Sequence, residues 1–162
     1  MASKKKIEII LDEYTGIDEL SIEDQLLVRE AMRASANAYS RYSNFSVGAA
    51  LKLDTGEIIT ANNRENASYP VSLCAEHAAI AYAGGNYPGS VIISIAICAR
   101  KGEEFTYVPV SPCGKCRQVI SEEEDRSGKK IRIILYGRSV IYISEGIENL
   151  LPLHFSSSDL LH

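Results

Sequence analysis

From Ser21 to Ser40 the chain carries apolar side chains at Ile22, Leu26, Leu27, Ala31, Met32, Ala34 and Ala38, among others. Steps of three and four residues mark one face of a helix, and Ser21 is a suitable N-cap, so a first helix is predicted over 21–40. The pattern then changes to β-prone segments at 46–53 and 57–62 around Asp54-Thr55-Gly56, which predicts a hairpin. "CAEHAAIAYAGG" is rich in alanine, poor in β-branched residues and closed by two glycines, giving a short helix from Cys74 to Ala83. "SVIISIAICA" (90–99) is apolar without alternation, as in a strand buried on both faces. Downstream, "PCGKCRQVISEEE" (112–124) predicts a helix from its start, "KIRIILY" (130–136) a second buried strand, "SVIYIS" (139–144) a further one, and "EGIENLLP" (145–152) a last short helix. Strands alternate with helices, so the expected fold class is α/β, a three-layer α-β-α domain with helices on both faces of the sheet.

The chain has 162 residues, 46% of them hydrophobic, enough for one sizeable core and too few for two. A single domain over 1–162 is expected, with residues 1–20 as an N-terminal extension. The formal charge of -4 and scattered basic residues give no attraction to phosphate backbones, which disfavours a nucleic-acid polymer as partner. Glu8 and Asp12 interrupt the apolar stretch after Lys4-Lys5-Lys6, so no secretory segment forms, and no run approaches a membrane span. A cytoplasmic protein without a membrane partner is expected, whose four cysteines are thiols or metal ligands rather than a disulfide framework.

The chemistry concentrates in "SPCGKCRQ" (111–118) and "CAEH" (74–77). Cys113 and Cys116 alone would suit a redox dithiol, but that leaves Cys74 unexplained. Both Cys-x-x-Cys sulfurs lie on one face of a first helical turn, and Cys74 begins another predicted helix, so two helix N-termini can bring three thiolates together for Zn²⁺. With His77 as fourth ligand the site would be a closed, structural Cys₃His site. If His77 stays out, the fourth position is open to water, and Glu76 is placed to carry its proton. Cys98 reads as a small buried hydrophobe, Glu122 to Asp125 as a solvated charge run, and His154 and His162 as surface residues.

Three cysteines, a glutamate that is not a ligand and a downstream Pro-Cys-x-x-Cys form the pattern of zinc deaminases. "YSNFSVGAAL" (42–51), "NRENASY" (63–69), "CAE" (74–76), "PCGKCRQV" (112–119) and "ENLLPLHF" (148–155) follow in order, and over Ser21 to Leu160 the chain resembles cytidine deaminase of the small homotetrameric type. The resemblance implies a mixed central sheet of about five strands and Zn²⁺ on Cys74, Cys113 and Cys116. It makes Glu76 the proton carrier between the attacking water, N3 of the pyrimidine and the leaving amine. Asn63 and Glu65 match the pair that holds the ribose hydroxyls, with Arg64 between them pointing away. Phe45 matches an aromatic against the base, and backbone around Ala75 and Ser111 its hydrogen-bonding partners. Tyr69 matches a residue of a subunit-shared pocket, and Phe155 one that reaches into a neighbouring subunit's site.

Some positions depart from that family. His77 stands where an arginine commonly donates to the zinc thiolates, Arg41 and Ser46 where prolines are frequent, and Ala61-Asn62 in place of a Gly-Cys pair. Three thiolates leave zinc with net negative charge, so His77, Arg117 and the two helix N-termini are expected to offset it. The function expected is deamination of cytidine and 2'-deoxycytidine in pyrimidine salvage. Alternatives are a deaminase of modified or analogue pyrimidine nucleosides, of the blasticidin S type, and a non-enzymatic protein with a structural zinc site.

Overall fold

The computed structural model describes residues 2–160. Its elements are β1 (Asp12–Tyr14), α1 (Ile22–Ser35), β2 (Phe45–Leu53), β3 (Ile58–Asn62), α2 (Ala75–Asn86), β4 (Ile92–Lys101), β5 (Glu104–Phe105), α3 (Gly114–Ser127), β6 (Arg132–Tyr136) and β7 (Ile141–Glu145). The strands run in the order β1-β7-β6-β4-β2-β3, with β5 on the end of β4. β4 and β6 are parallel and every other pair is antiparallel, so the sheet is mixed.

Alternate residues of the central strands feed two cores. On one face Ile95 and Ile97 of β4 and Ile133 and Leu135 of β6 pack against Ala79, Ile80 and Ala83 of α2 and Ile120 of α3. On the other, Ala96, Cys98 and Ile134 meet Leu27, Val28 and Ala31 of α1. Strands apolar on both sides are thus covered by helices on both sides, as their composition predicted. The α1 layer rides directly on backbone: a Cβ at Gly48 would lie 2.0 Å from the Ala31 carbonyl oxygen. An ion pair between Asp24 and Arg132, 3.2 Å long, ties α1 to β6.

Several boundaries differ from expectation for physical reasons. Ser21 does cap α1, accepting from the Asp24 N–H at 3.1 Å. The helix nevertheless stops at Ser35 rather than Ser40, because Tyr39 is drawn into strand-like exchange with the loop after β3. Its N–H donates to the Asn63 carbonyl (3.0 Å) and its carbonyl accepts from the Glu65 N–H (2.8 Å). α2 runs through Gly84-Gly85 to Asn86, whose amide donates to the Tyr82 carbonyl at 2.9 Å, and ends just before Pro88. The expected helix at 145–152 is a single 3₁₀ turn, Ile147–Asn149. There the Leu150 and Leu151 N–H groups both donate to the Ile147 carbonyl, Pro152 has no N–H with which to continue, and the Leu150 carbonyl is taken by Arg117. β1 and β5, three and two residues long, carry no usable periodicity. His154 is half-buried rather than on the surface, with Nδ1 3.2 Å from the Leu151 carbonyl, and His162 lies outside the described residues. No helix among the described residues is long and apolar enough to cross a membrane.

Candidate metal centre and adjoining cavity

Cys74 is the N-cap of α2 and Cys113 the N-cap of α3, with Cys116 in the first turn of α3. Neither capping cysteine bonds its own helix; the sulfurs turn toward one another instead. Sγ of Cys113 is 3.8 Å from Sγ of Cys74 and 3.6 Å from Sγ of Cys116, and the three lie within 4.8 Å of one another. Tetrahedral zinc with bonds of ~2.3 Å requires sulfurs roughly 3.8 Å apart, so the three cysteines fit that ion. His77 is not part of the cluster, and its buried Nδ1 has no hydrogen-bond partner. The donor set is therefore three sulfurs, without the imidazole of a Cys₃His site. A dithiol of Cys113 and Cys116 alone would leave Cys74, equally close, without a role.

The loop that delivers Cys113 is held from below. Gly137 passes it so closely that a Cβ there would lie 2.5 Å from the Pro109 nitrogen, and the Arg138 and Ser139 N–H groups donate to the Thr106 and Tyr107 carbonyls. Arg117 closes the other side, donating from Nε to the Pro112 carbonyl (2.8 Å) and from Nη1 to the Leu150 carbonyl (2.5 Å).

Hydrogen bonding from Cys116 pulls the Cys74 thiol down to about 6, helped by Cys113 and by the charges of Lys115 and His77. Cys116, as the partner that keeps its proton, is pushed up. Glu76, two residues into α2, is 4% exposed. Burial, and then the negative charge of Cys74, hold its carboxyl above the ordinary range. A carboxyl with a raised proton affinity beside a three-sulfur site is suited to receive and return a proton.

A cavity of about 460 Å³ opens beside the cluster, walled by Phe45, Asn63, Glu65, Cys74, Glu76 and Ser111, with Arg64 also at its edge. The Arg64 guanidinium is engaged elsewhere, over the Tyr39 ring and on the Asn37 carbonyl. Asn63 spans β2, accepting from the Val47 N–H (2.7 Å) and donating to the Phe45 carbonyl (3.0 Å). Glu65 gathers the Tyr42 N–H (2.7 Å) and the Ser43 N–H and hydroxyl, and the Ser43 hydroxyl bond, foremost, holds its carboxyl below the usual range. Ala75 is fully buried at the start of α2. Tyr69 and Phe155 lie outside the cavity of this chain, 69% and 57% exposed. Sequence reasoning missed two participants. Lys115 is readable as the cation inside Cys-Gly-Lys-Cys, whereas nothing local in the sequence marks Ser43 as the partner of Glu65.

Residues 21–128 match the family model described as the cytidine and deoxycytidylate deaminase zinc-binding region. The chain is 44% identical over 100 residues to the cytidine deaminase of Halalkalibacterium halodurans, a match covering 60% of this chain and 70% of that one. It is 39% identical over 97 residues to the cytidine deaminase of Mycobacterium tuberculosis, covering 60% and 68%. The crystal structure of cytidine deaminase from Burkholderia pseudomallei superposes with a TM-score of 0.70 at 33% identity, over 84% of this chain and 100% of that one.

Proposed function

The chain belongs to the cytidine and deoxycytidylate deaminase family, and from that premise we infer that it hydrolyses the exocyclic C4–N bond of cytidine and 2'-deoxycytidine. The products are uridine or 2'-deoxyuridine and ammonia. The observation that carries this reading is a buried Glu76, its proton affinity raised by burial, beside three convergent sulfurs that leave it out of the cluster. Cys74, Cys113 and Cys116 would hold Zn²⁺, which when bound supplies the Lewis acidity that makes water a usable nucleophile near neutral pH. Glu76 takes the proton of the attacking water, delivers one to ring N3 and then one to the departing amine, ending with its own charge unchanged. Phe45 lies against the pyrimidine, backbone at Ala75 and Ser111 meets its polar edge, and Glu65 stands at the sugar end. The two helix N-termini, with Lys115 and His77, offset the charge of the thiolates.

The exposed Tyr69 and Phe155 support a homotetramer in which neighbouring subunits complete each site. Light scattering should then return four times the 17.8 kDa chain mass. Four free cysteines suit a reducing compartment, so pyrimidine salvage in the cytoplasm is the setting proposed. The test of function is zinc content measured together with the fall in ultraviolet absorbance of cytidine, for the native chain and Glu76→Gln. Full metal with kcat lowered about 10²- to 10⁴-fold is expected for the variant; equal activity would remove Glu76 from its role. Blasticidin S and 5-methylcytidine in the same assay measure the alternative substrate class.

A further inference from the structure

Arg117 follows the ligand Cys116 directly, and its guanidinium does not turn to the sulfurs. Nε is spent on the carbonyl of Pro112, the residue immediately before Cys113, and Nη1 on the carbonyl of Leu150 in the segment after β7. One planar fork therefore joins three pieces of chain: the first turn of α3, the loop that ends in Cys113, and the C-terminal tail. The same tail is held along α3 by Gln118, which donates to the Phe155 carbonyl at 2.8 Å, and by Asp125, which accepts from the Ser157 N–H at 3.2 Å.

We propose that Arg117 is a positioning residue for the metal centre, fixing Cys113 through the Pro112 carbonyl and the Leu150 strap, and that its geometry rather than its charge sustains zinc affinity. The inference rests on the deaminase reading only in naming zinc as the metal. Pro112 cannot offer an N–H to a neighbour, so its carbonyl is the one backbone group by which that residue can be hydrogen-bonded into place. A planar two-nitrogen fork can hold two carbonyls at a fixed angle, which a lysine ammonium on a flexible stem cannot reproduce. A carbonyl freed at Pro112 lets Cys113 drift, and metal sites lose affinity when the groups orienting their ligands are removed.

The test is zinc affinity of the full-length, metal-stripped chain, read by competition with a chromophoric chelator, for the native protein, Arg117→Lys and Arg117→Gln. Both variants should bind zinc about 10- to 100-fold more weakly than the native chain, and to a similar degree, although one keeps the positive charge. Recovery of native affinity by Arg117→Lys alone would assign the effect to charge and overturn the proposal. So would native affinity in both variants. Circular dichroism of the metal-free proteins supplies the remaining control: if Arg117→Lys no longer folds, Arg117 is a general stability element and the proposal fails. Because the readout is metal binding, native turnover of cytidine decides the function separately.

Discussion

The α1 side of the sheet and the edge where α2 and α3 begin each bury a carboxylate and hold cysteine, and they treat them in opposite ways. On the α1 side Asp24, 8% exposed, is paired with Arg132. Cys98, 1% exposed in the middle of β4, has its thiol pushed up to about 12 by burial. At the helix starts Glu76 is buried with no lysine or arginine paired to it among the described residues. Cys74 is pulled down to about 6 by its hydrogen bond with Cys116. Residue type is shared and environment is not. Asp24 also lies in the first turn of a helix, but there the Ser21 hydroxyl takes its N–H and Arg132 pairs its carboxylate, whereas Cys74 makes no cap bond to its helix and Glu76 is buried without a cation.

The sharpest way to break the contrast is to remove one cysteine from each region. Cys116→Ala leaves two sulfurs where three converge, so zinc content and cytidine turnover should both fall to background. Cys98→Ala should keep zinc and turnover while losing about 1 kcal/mol of stability, the transfer and cavity cost of one small buried group. Metal analysis and urea unfolding of the two variants decide it. Loss of zinc in Cys98→Ala would mean the two regions are not separate.

What was legible in the sequence follows the same division. The strands over 90–99 and 130–136 and the cap at Ser21 could be read because each rests on residues within one element, and Ile95, Ile97 and Ile133 pack as their composition requires. Helix ends were less legible, since the end of α1 is decided by Tyr39 bonding to residues 63 and 65, far along the chain. At the site, the cysteine spacing announced the three-sulfur cluster, because two short local motifs hold all three sulfurs. His77 could be placed outside the cluster only by the fold. Arg117 and Asn63 differ again: Arg117 was expected as a charge near the thiolates and Asn63 was matched to a sugar-binding position by resemblance alone, while their bonds to Pro112, Leu150, Phe45 and Val47 depend on loops no local pattern describes.

A second experiment uses the thiols themselves. With zinc stripped by a chelator, iodoacetamide at pH 7 should modify Cys74 faster than Cys98 by at least about three orders of magnitude. With values of about 6 and about 12, one thiol is mostly ionised and the other scarcely at all, and the strand position adds steric protection. Mass spectrometry of tryptic peptides over time reads both sites at once. Comparable rates would show that the sheet opens around β4 more readily than its packing implies.

The smallest effect expected concerns the unpaired carboxyl. In the metal-free chain burial raises Glu76 above its unfolded value of 4.5, so the folded state holds that proton more tightly than the unfolded state does. Such a group contributes stability that is full below 4.5 and is lost as pH rises through the raised folded value. Glu124, raised mainly by burial, adds a decline of the same sign, but it is present in native chain and variant alike and cancels in their difference. Glu76→Gln keeps the shape and removes the ionisation, so the metal-free variant should exceed the native chain at neutral pH by roughly 1 kcal/mol, the usual scale for a residue kept for function at the expense of stability. Below pH 4.5 the two should converge. Urea midpoints from acid to neutral pH measure that gap. Parallel profiles would mean that Glu76 is solvated in solution, and the helix-start edge would then lose the feature that most separates it from the α1 side, where Asp24 has its arginine.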